Sequence, residues 1–388
     1  MKLKLVLFTI LFSVFCITTT NARSARSHNY PNFDGEILFE LKHDALSDNS
    51  KKVANNDREN DTNLLIEPIF FLNLTEGFKI NNHWAIRPIE ERKYTTPTVG
   101  NSIYYGGTFY GTEGWIKRDF GKEYGIIVEE LELMYEKNDI RLGLGKFNPM
   151  FGTAFYKSRY HGIYGTDLPE EYELKEKFGG NIVAVFPNIQ AEFSLFFDDV
   201  THLSSSAIGD RGRDKSRGGA GNTEKLDSFS IAIEGANFLG HKDFNYNFGF
   251  RYLKTEKNWE RDEKGYVLGL EYIYDIGLDS MIIPFFEYAY FDNYDGIVGR
   301  DTQYTTLSLV GIKGNWNTVV SNTLKREEES NFSDIRDYVI QYTIGYKFEN
   351  GLMFDLGLKD SKQSIKTNTR TTYKQRAFGG KISYMLIF

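Results

Sequence analysis

The chain has 388 residues and a formal net charge of -7, which excludes the basic face that a nucleic-acid partner requires. Glycine is plentiful at 36, proline scarce at 8, and Tyr and Phe number 25 and 31; that balance points to many strands joined by glycine turns, not to helices. A mean hydropathy of -0.42 excludes a helical membrane protein as a whole. It is compatible with a barrel, in which apolar residues facing lipid alternate with polar residues facing a lumen.

At the N-terminus, Lys2 and Lys4 precede an apolar run from Leu5 to Ile17, followed by the small-residue pattern Thr20-Asn21-Ala22. This is the pattern of a cleaved secretory signal, so residues 1–22 are expected to be a signal peptide and residues 23–388 a transmembrane barrel. The run is shorter than the roughly 20 residues a spanning helix needs. The single cysteine, Cys16, follows bulky Val14 and Phe15, where a lipid-acylation signal wants small side chains; it is expected to leave with the signal, so the mature chain carries no disulfide. N-terminal sequencing of the mature protein should begin near Arg23. Retention of Met1, or a lipid on Cys16, would contradict this reading.

From Tyr30 onward the chain repeats one pattern: an alternating segment, a tight turn, another alternating segment, a longer polar loop. Ile37, Phe39 and Leu41 open it, with Glu36, Glu40 and Lys42 opposite. Segments 63–75 and 78–91 join at Glu76-Gly77, and 127–136 and 140–147 at Lys137-Asn138-Asp139. Further pairs are 174–186 with 189–198, 228–236 with 244–253, 266–274 with 281–291, 303–312 with 315–325, and 338–348 with 352–359. A last segment runs over about 374–388. These make an all-β, antiparallel up-and-down barrel of about 16 strands, most near the length that crosses a bilayer at a tilt. Long loops are expected at 44–62, 93–125, 148–172, 200–227, 254–265, 293–302, 326–337 and 360–373. Tyr266, Tyr274, Tyr338, Tyr346 and Phe348, at strand ends, fit interfacial girdles.

The chain ends GGKISYMLIF. No edge strand can stay unpaired in hydrocarbon, so the last strand must close on the first, and its lipid face stays apolar to the end. Phe388, with Leu386, Tyr384 and Ile382 at alternate positions before it, resembles the assembly signal of Gram-negative outer-membrane proteins, which implies the barrel assembly machinery as a partner. The stretch LGLGKFNPMFG at 142–152 resembles the porin superfamily of phosphate-selective and carbohydrate-selective channels, in which a strand ending in a Gly-Lys-Phe-like element breaks at proline into a long loop. That resemblance implies a bacterial outer-membrane location, a sixteen-stranded monomeric or homotrimeric diffusion channel, and a loop folded inward. Residues 148–172 are the first candidate for that loop and 93–125 the second. The arginine ladder of the phosphate-selective members has no counterpart here.

Parity assigns to the lumen Glu36, Glu40, Glu67, Glu130, Glu132, Glu192, Glu234, Glu271, Glu287 and Asp355, against Lys79, Arg87, Arg141, Arg251, Lys347, Lys359 and Lys381. A mixed, mildly acidic wall favours small polar solutes and cations. Candidate pore-lining or constriction residues are Glu130, Glu132, Arg141, Lys146, Arg87, Glu67, Glu192 and Arg251, with Arg141 and Lys146 expected to face Glu130 and Glu132 across their hairpin. Enzyme chemistry finds little support. Ser158 and His161 are the nearest nucleophile–base pair and lack an evident third member, and no HExxH, CxxC, phosphate loop or His cluster at metal spacing is present. No catalytic residue, metal or cofactor is therefore expected. The run DRGRDKSRGGAGN at 210–222 reads as an external loop beside lipopolysaccharide phosphates. Alternatives to a passive porin are a substrate-specific channel or siderophore-type uptake porin and, third, a barrel without transport such as an adhesin or hydrolase. No plug domain is evident before the first strand.

Overall fold

The computed structural model describes residues 30–49, 60–88, 124–201, 203, 219–329, 333–366 and 369–388. The expected signal peptide, nearly all of loop 93–125 and most of the basic run at 210–222 lie outside them. The strands are β1 (Asn32–Asn49), β2 (Asn60–Asn73), β3 (Phe78–Pro88), β4 (Tyr124–Lys137), β5 (Ile140–Phe147), β6 (Lys177–Phe186), β7 (Ile189–Asp198) and β8 (Ser228–Gly235). They continue as β9 (Phe244–Leu253), β10 (Glu263–Tyr272, resumed at Tyr274–Gly277), β11 (Ser280–Asp292) and β12 (Arg300–Lys313). The last four are β13 (Trp316–Glu329), β14 (Ser333–Lys347), β15 (Met353–Lys366) and β16 (Arg370–Ile387). Both pieces of β10 lie on β11, so the wall has sixteen strands. Each pairs antiparallel with its neighbours in sequence, and β1 also pairs with β16. The barrel is closed.

Closure answers why the chain is apolar to its last residue. The amide of Phe388 donates to the carbonyl of Gly35 (3.1 Å) and the amide of Gly35 donates back to Phe388 (3.2 Å). The Phe388 ring sits 5.8 Å from that of Phe33 and 6.2 Å from that of Phe70. The seam is thus sealed by backbone pairing and by an aromatic cluster. Deleting Phe388 is expected to lower insertion in cells more than it lowers the stability of protein already folded. Normal surface levels of the truncated protein would contradict an assembly role.

Side chains obey period 2, because successive residues of a strand point to opposite faces. Leu131, Leu133, Ile140, Leu142 and Leu144 are exposed on the outer surface, while Glu132, Met134 and Gly143 are buried inside. The outward set forms a belt of Leu, Ile, Val and Phe around the wall. Aromatics edge it at the turn side, where Trp316, Tyr346 and Phe348 form one cluster with centroids 4.8 and 4.9 Å apart.

Two expected long loops are replaced by strand. Pairing of β13 with β14 continues to Glu329 and Ser333, and that of β15 with β16 to Lys366 and Arg370. Beyond the belt both faces of a hairpin meet water, so apolar alternation, the signal read from sequence, ends before the backbone ladder does. Cross-strand charges take over from it: Arg376 pairs with Asp360 at 2.8 Å, and Arg300 with Glu329 at 2.9 Å.

Candidate functional site

At the end of β5 the chain leaves the wall and turns inward. Pro149 has no N–H to continue the ladder, and Gly152 takes a left-handed φ of +76° that lets the backbone turn. Residues 148–176 then run inside the barrel through a short helix, α1 (Ala154–His161), a tip at 162–165 and a 3-10 turn at Pro169–Tyr172, before rejoining the wall as β6. The first-choice inward segment therefore lies within the barrel. Ser158 and His161 fall on α1; their side chains lie outside the described residues.

One side of this segment is fixed to the wall from β7 to β12. The amide of Met150 donates to Glu192 Oε1 at 2.9 Å. Glu287, on β11, accepts the amides of Thr153 (2.6 Å) and Ala154 (3.0 Å), the Thr153 hydroxyl (3.1 Å) and the Tyr172 hydroxyl (2.8 Å). No side chain of the segment caps α1. The Glu287 carboxylate fills that role across the lumen, satisfying N–H groups at the helix start that otherwise lack partners. Phe151, Leu168, Tyr172 and Leu174 pack in one buried apolar cluster with Leu253, Val267, Phe285, Ala289 and Phe291. Arg251 is clamped within it, 4.8 and 4.3 Å from the Phe151 and Phe291 rings, and bonded to Glu263 and to the Tyr172 carbonyl.

The tip reaches the far wall. Ile163 N donates to Thr343 Oγ1 (3.2 Å) and Tyr164 N to Gln341 Oε1 (2.8 Å), both on β14. The Tyr164 hydroxyl donates to Asp44 on β1 at 2.7 Å; burial, with the Asp44 carboxylate next to it, pushes the phenol above its ordinary pKa, so it remains a donor. Its ring edge and hydroxyl come close to the wall because Gly357 and Gly379, directly opposed on β15 and β16, leave a slot there. A side chain at Gly379 would overlap the Tyr164 hydroxyl. Lys359 pairs with Asp167 at 2.6 Å and Lys325 with Glu171 at 2.7 Å.

The wall from β2 to β5 carries a charged group of its own. Register between β3 and β4 shifts at His83/Trp84, and the extra residue turns Glu129 inward beside Glu130. Arg87 pairs with Glu129 Oε1 at 3.1 Å, and His83 Nε2 lies 3.6 Å from Glu129 Oε2. Glu130 accepts from Asn81 (2.6 Å) and Asn148 (2.7 Å), and Glu132 from Asn181 (2.7 Å). Arg141 points inward between the outward Ile140 and Leu142.

The sequence-derived candidates thus separate. Glu67, Arg87, Glu130, Glu132 and Arg141 stand on the β2–β5 wall, Glu130 also holding Asn148 at the start of the inward segment, whereas Glu192 and Arg251 hold the segment from the opposite side. Lys146 holds the far end of the segment, at Glu176. It shares the outward parity of Leu142 and Leu144, and its ammonium is fully buried between Glu176 (3.0 Å) and Asp199 (2.9 Å). Glu129 was hidden by the bulge, since alternation alone puts it outside. Glu287 was visible as a lumenal acid, but its partners on the inward segment lie more than a hundred residues away.

No protein-family model matches the chain, and no curated protein matches it. Solved structures do. The outer-membrane channel DcaP of Acinetobacter baumannii matches with a TM-score of 0.55 at 9% identity, over 92% of this chain and 96% of that one. OccAB3 of Acinetobacter baumannii gives 0.52 at 11% identity over 92% and 100%. A loop L8 deletion mutant of OmpT, an outer-membrane protein of Vibrio cholerae, gives 0.52 at 11% identity over 92% and 98%. Identities this low carry the fold alone. The chain shares with these outer-membrane proteins the fold of a closed antiparallel barrel, here of sixteen strands.

Proposed function

We propose that the protein is a passive channel for small polar solutes and ions, not an enzyme, narrowed by residues 148–176. The observation that carries this reading is the inward segment itself, pinned by Glu192 and Glu287 on one side and by Gln341, Thr343 and Asp44 on the other. A segment so held narrows the lumen to a fixed aperture, as a size-limited diffusion pore requires. DcaP, which shares the fold, is described as an outer-membrane channel. Proteoliposomes containing the refolded protein should swell in small sugars at a rate that falls steeply with solute size. Swelling no faster than protein-free vesicles would overturn the reading.

Mild cation preference follows from the β2–β5 wall, where, beside the self-cancelling Lys79–Glu136 pair, four carboxylates (Glu67, Glu129, Glu130, Glu132) stand with two guanidiniums (Arg87, Arg141). Only charges within about one Debye length of the aperture, roughly 8 Å at physiological salt, act on a passing ion. Replacing Glu130 and Glu132 together by Gln removes two charges at nearly unchanged volume and keeps one amide oxygen at each position, where Glu130 now accepts from Asn81 and Asn148 through both of its oxygens. The zero-current potential in a salt gradient should shift toward anions, and more so in dilute salt. An unchanged potential would place the selective point elsewhere.

A further inference from the structure

Glu67 on β2, His83 on β3 and Glu129 on β4 bring three ligand atoms within 4.8 Å of one another on the inner wall. We propose that this group binds a divalent transition-metal ion of borderline softness, such as Zn2+, on the inner face of the wall. Sequence spacing could not show it, because the three residues come from three strands and one is turned inward only by the bulge in β4.

Four features converge on such an ion. His83 Nε2 is buried and has no hydrogen-bond partner among the described residues, and it faces Glu129 Oε2 at 3.6 Å, near the edge length of a metal coordination shell with ligand bonds of about 2.0–2.2 Å. The other oxygen of Glu129 is held by Arg87 at 3.1 Å, which orients the carboxylate as outer partners orient metal ligands. His83 Nδ1 faces Glu130 Oε1 at 4.0 Å, on the side where a ligating histidine finds its carboxylate partner. Charge completes the case. Glu67 and Glu129 supply two carboxylates, the charge of a dication, with Glu130 and Arg87 beside them. One imidazole with two carboxylates suits Zn2+ better than it suits Mg2+ and Ca2+, which prefer all-oxygen shells.

The test is calorimetric titration of the full-length, untagged, refolded barrel in detergent with ZnCl2. One stoichiometric site is expected that excess Mg2+ does not displace. His83→Ala and Glu129→Gln should each weaken it by at least about tenfold, while His43→Ala, whose ring bonds Thr62 away from the group, leaves it unchanged. Heat-dependent gel mobility checks that each variant is folded, and His83→Asn takes the place of any His83→Ala protein that is not. Absence of Zn2+ binding by wild type, or equal binding by the folded His83 variants, overturns the site. In planar bilayers Zn2+ should lower the wild-type current and spare that of His83→Ala. A wild type that passes no current would overturn the channel reading and leave the titration to decide the site.

Discussion

Replacing Glu287 by Ala should release the inward segment from the β11 wall and raise the unitary conductance. The carboxylate accepts four hydrogen bonds from the segment, two of them from amides at the start of α1. Hydrogen bonds to a charged group contribute about 1.5–3 kcal/mol each. Even if water takes over most of them, a loss of about 3 kcal/mol moves the docked-to-free ratio by more than a hundredfold. The wall itself should stay closed, because the backbone ladder of Glu287 with β10 and β12 is independent of its side chain. The expected result is a protein that keeps its heat-dependent gel mobility, conducts more per channel, and is cut by protease within 148–176 faster than wild type. A folded variant with wild-type conductance would mean that the apolar packing around Phe151 and Tyr172 holds the segment without this anchor.

The second large effect is at the other end of the segment. Gly379→Val fills the slot where Tyr164 lies and also presses on the Asp44 side chain that the tyrosine reaches. The Tyr164 hydroxyl can then no longer reach Asp44, and the amides of Ile163 and Tyr164 are drawn away from Thr343 and Gln341. Conductance should rise and fluctuate, since the tip is loose while the Glu287 end stays fixed. Tyr164→Ala, made in the unaltered wall, should reproduce most of the rise. If Gly379→Val alone changes the current, the wall and not the tip is responsible.

Most of the architecture was legible because a bilayer imposes period 2 so strictly. Leu131, Leu133, Leu142 and Leu144 mark the lipid face without ambiguity, and the turns at Asn138, Gly277, Gly314 and Gly351 all need the positive φ they adopt. Three things were not legible. Strand length beyond the belt was hidden, because polar hairpins such as 326–337 carry no apolar alternation. The bulge that turns Glu129 inward leaves no mark in composition. The third is the fate of the lumenal acids. Glu192, Glu271 and Glu287 read as charges lining water, yet all three bond the inward segment, Glu271 through Lys157 at 2.9 Å. A residue's parity shows which way it points, and only the path of the segment shows what it meets there.

The central claim is that residues 148–176 set the aperture of a conducting barrel, and single-channel recording in planar bilayers tests it most directly. Wild type should insert in discrete steps of small, ohmic unitary conductance. A version with residues 154–172 replaced by a short Gly-Ser linker, verified as folded by its gel mobility, should insert in steps several-fold larger. Steps of equal size in the two proteins, or no steps from wild type at all, would contradict the account.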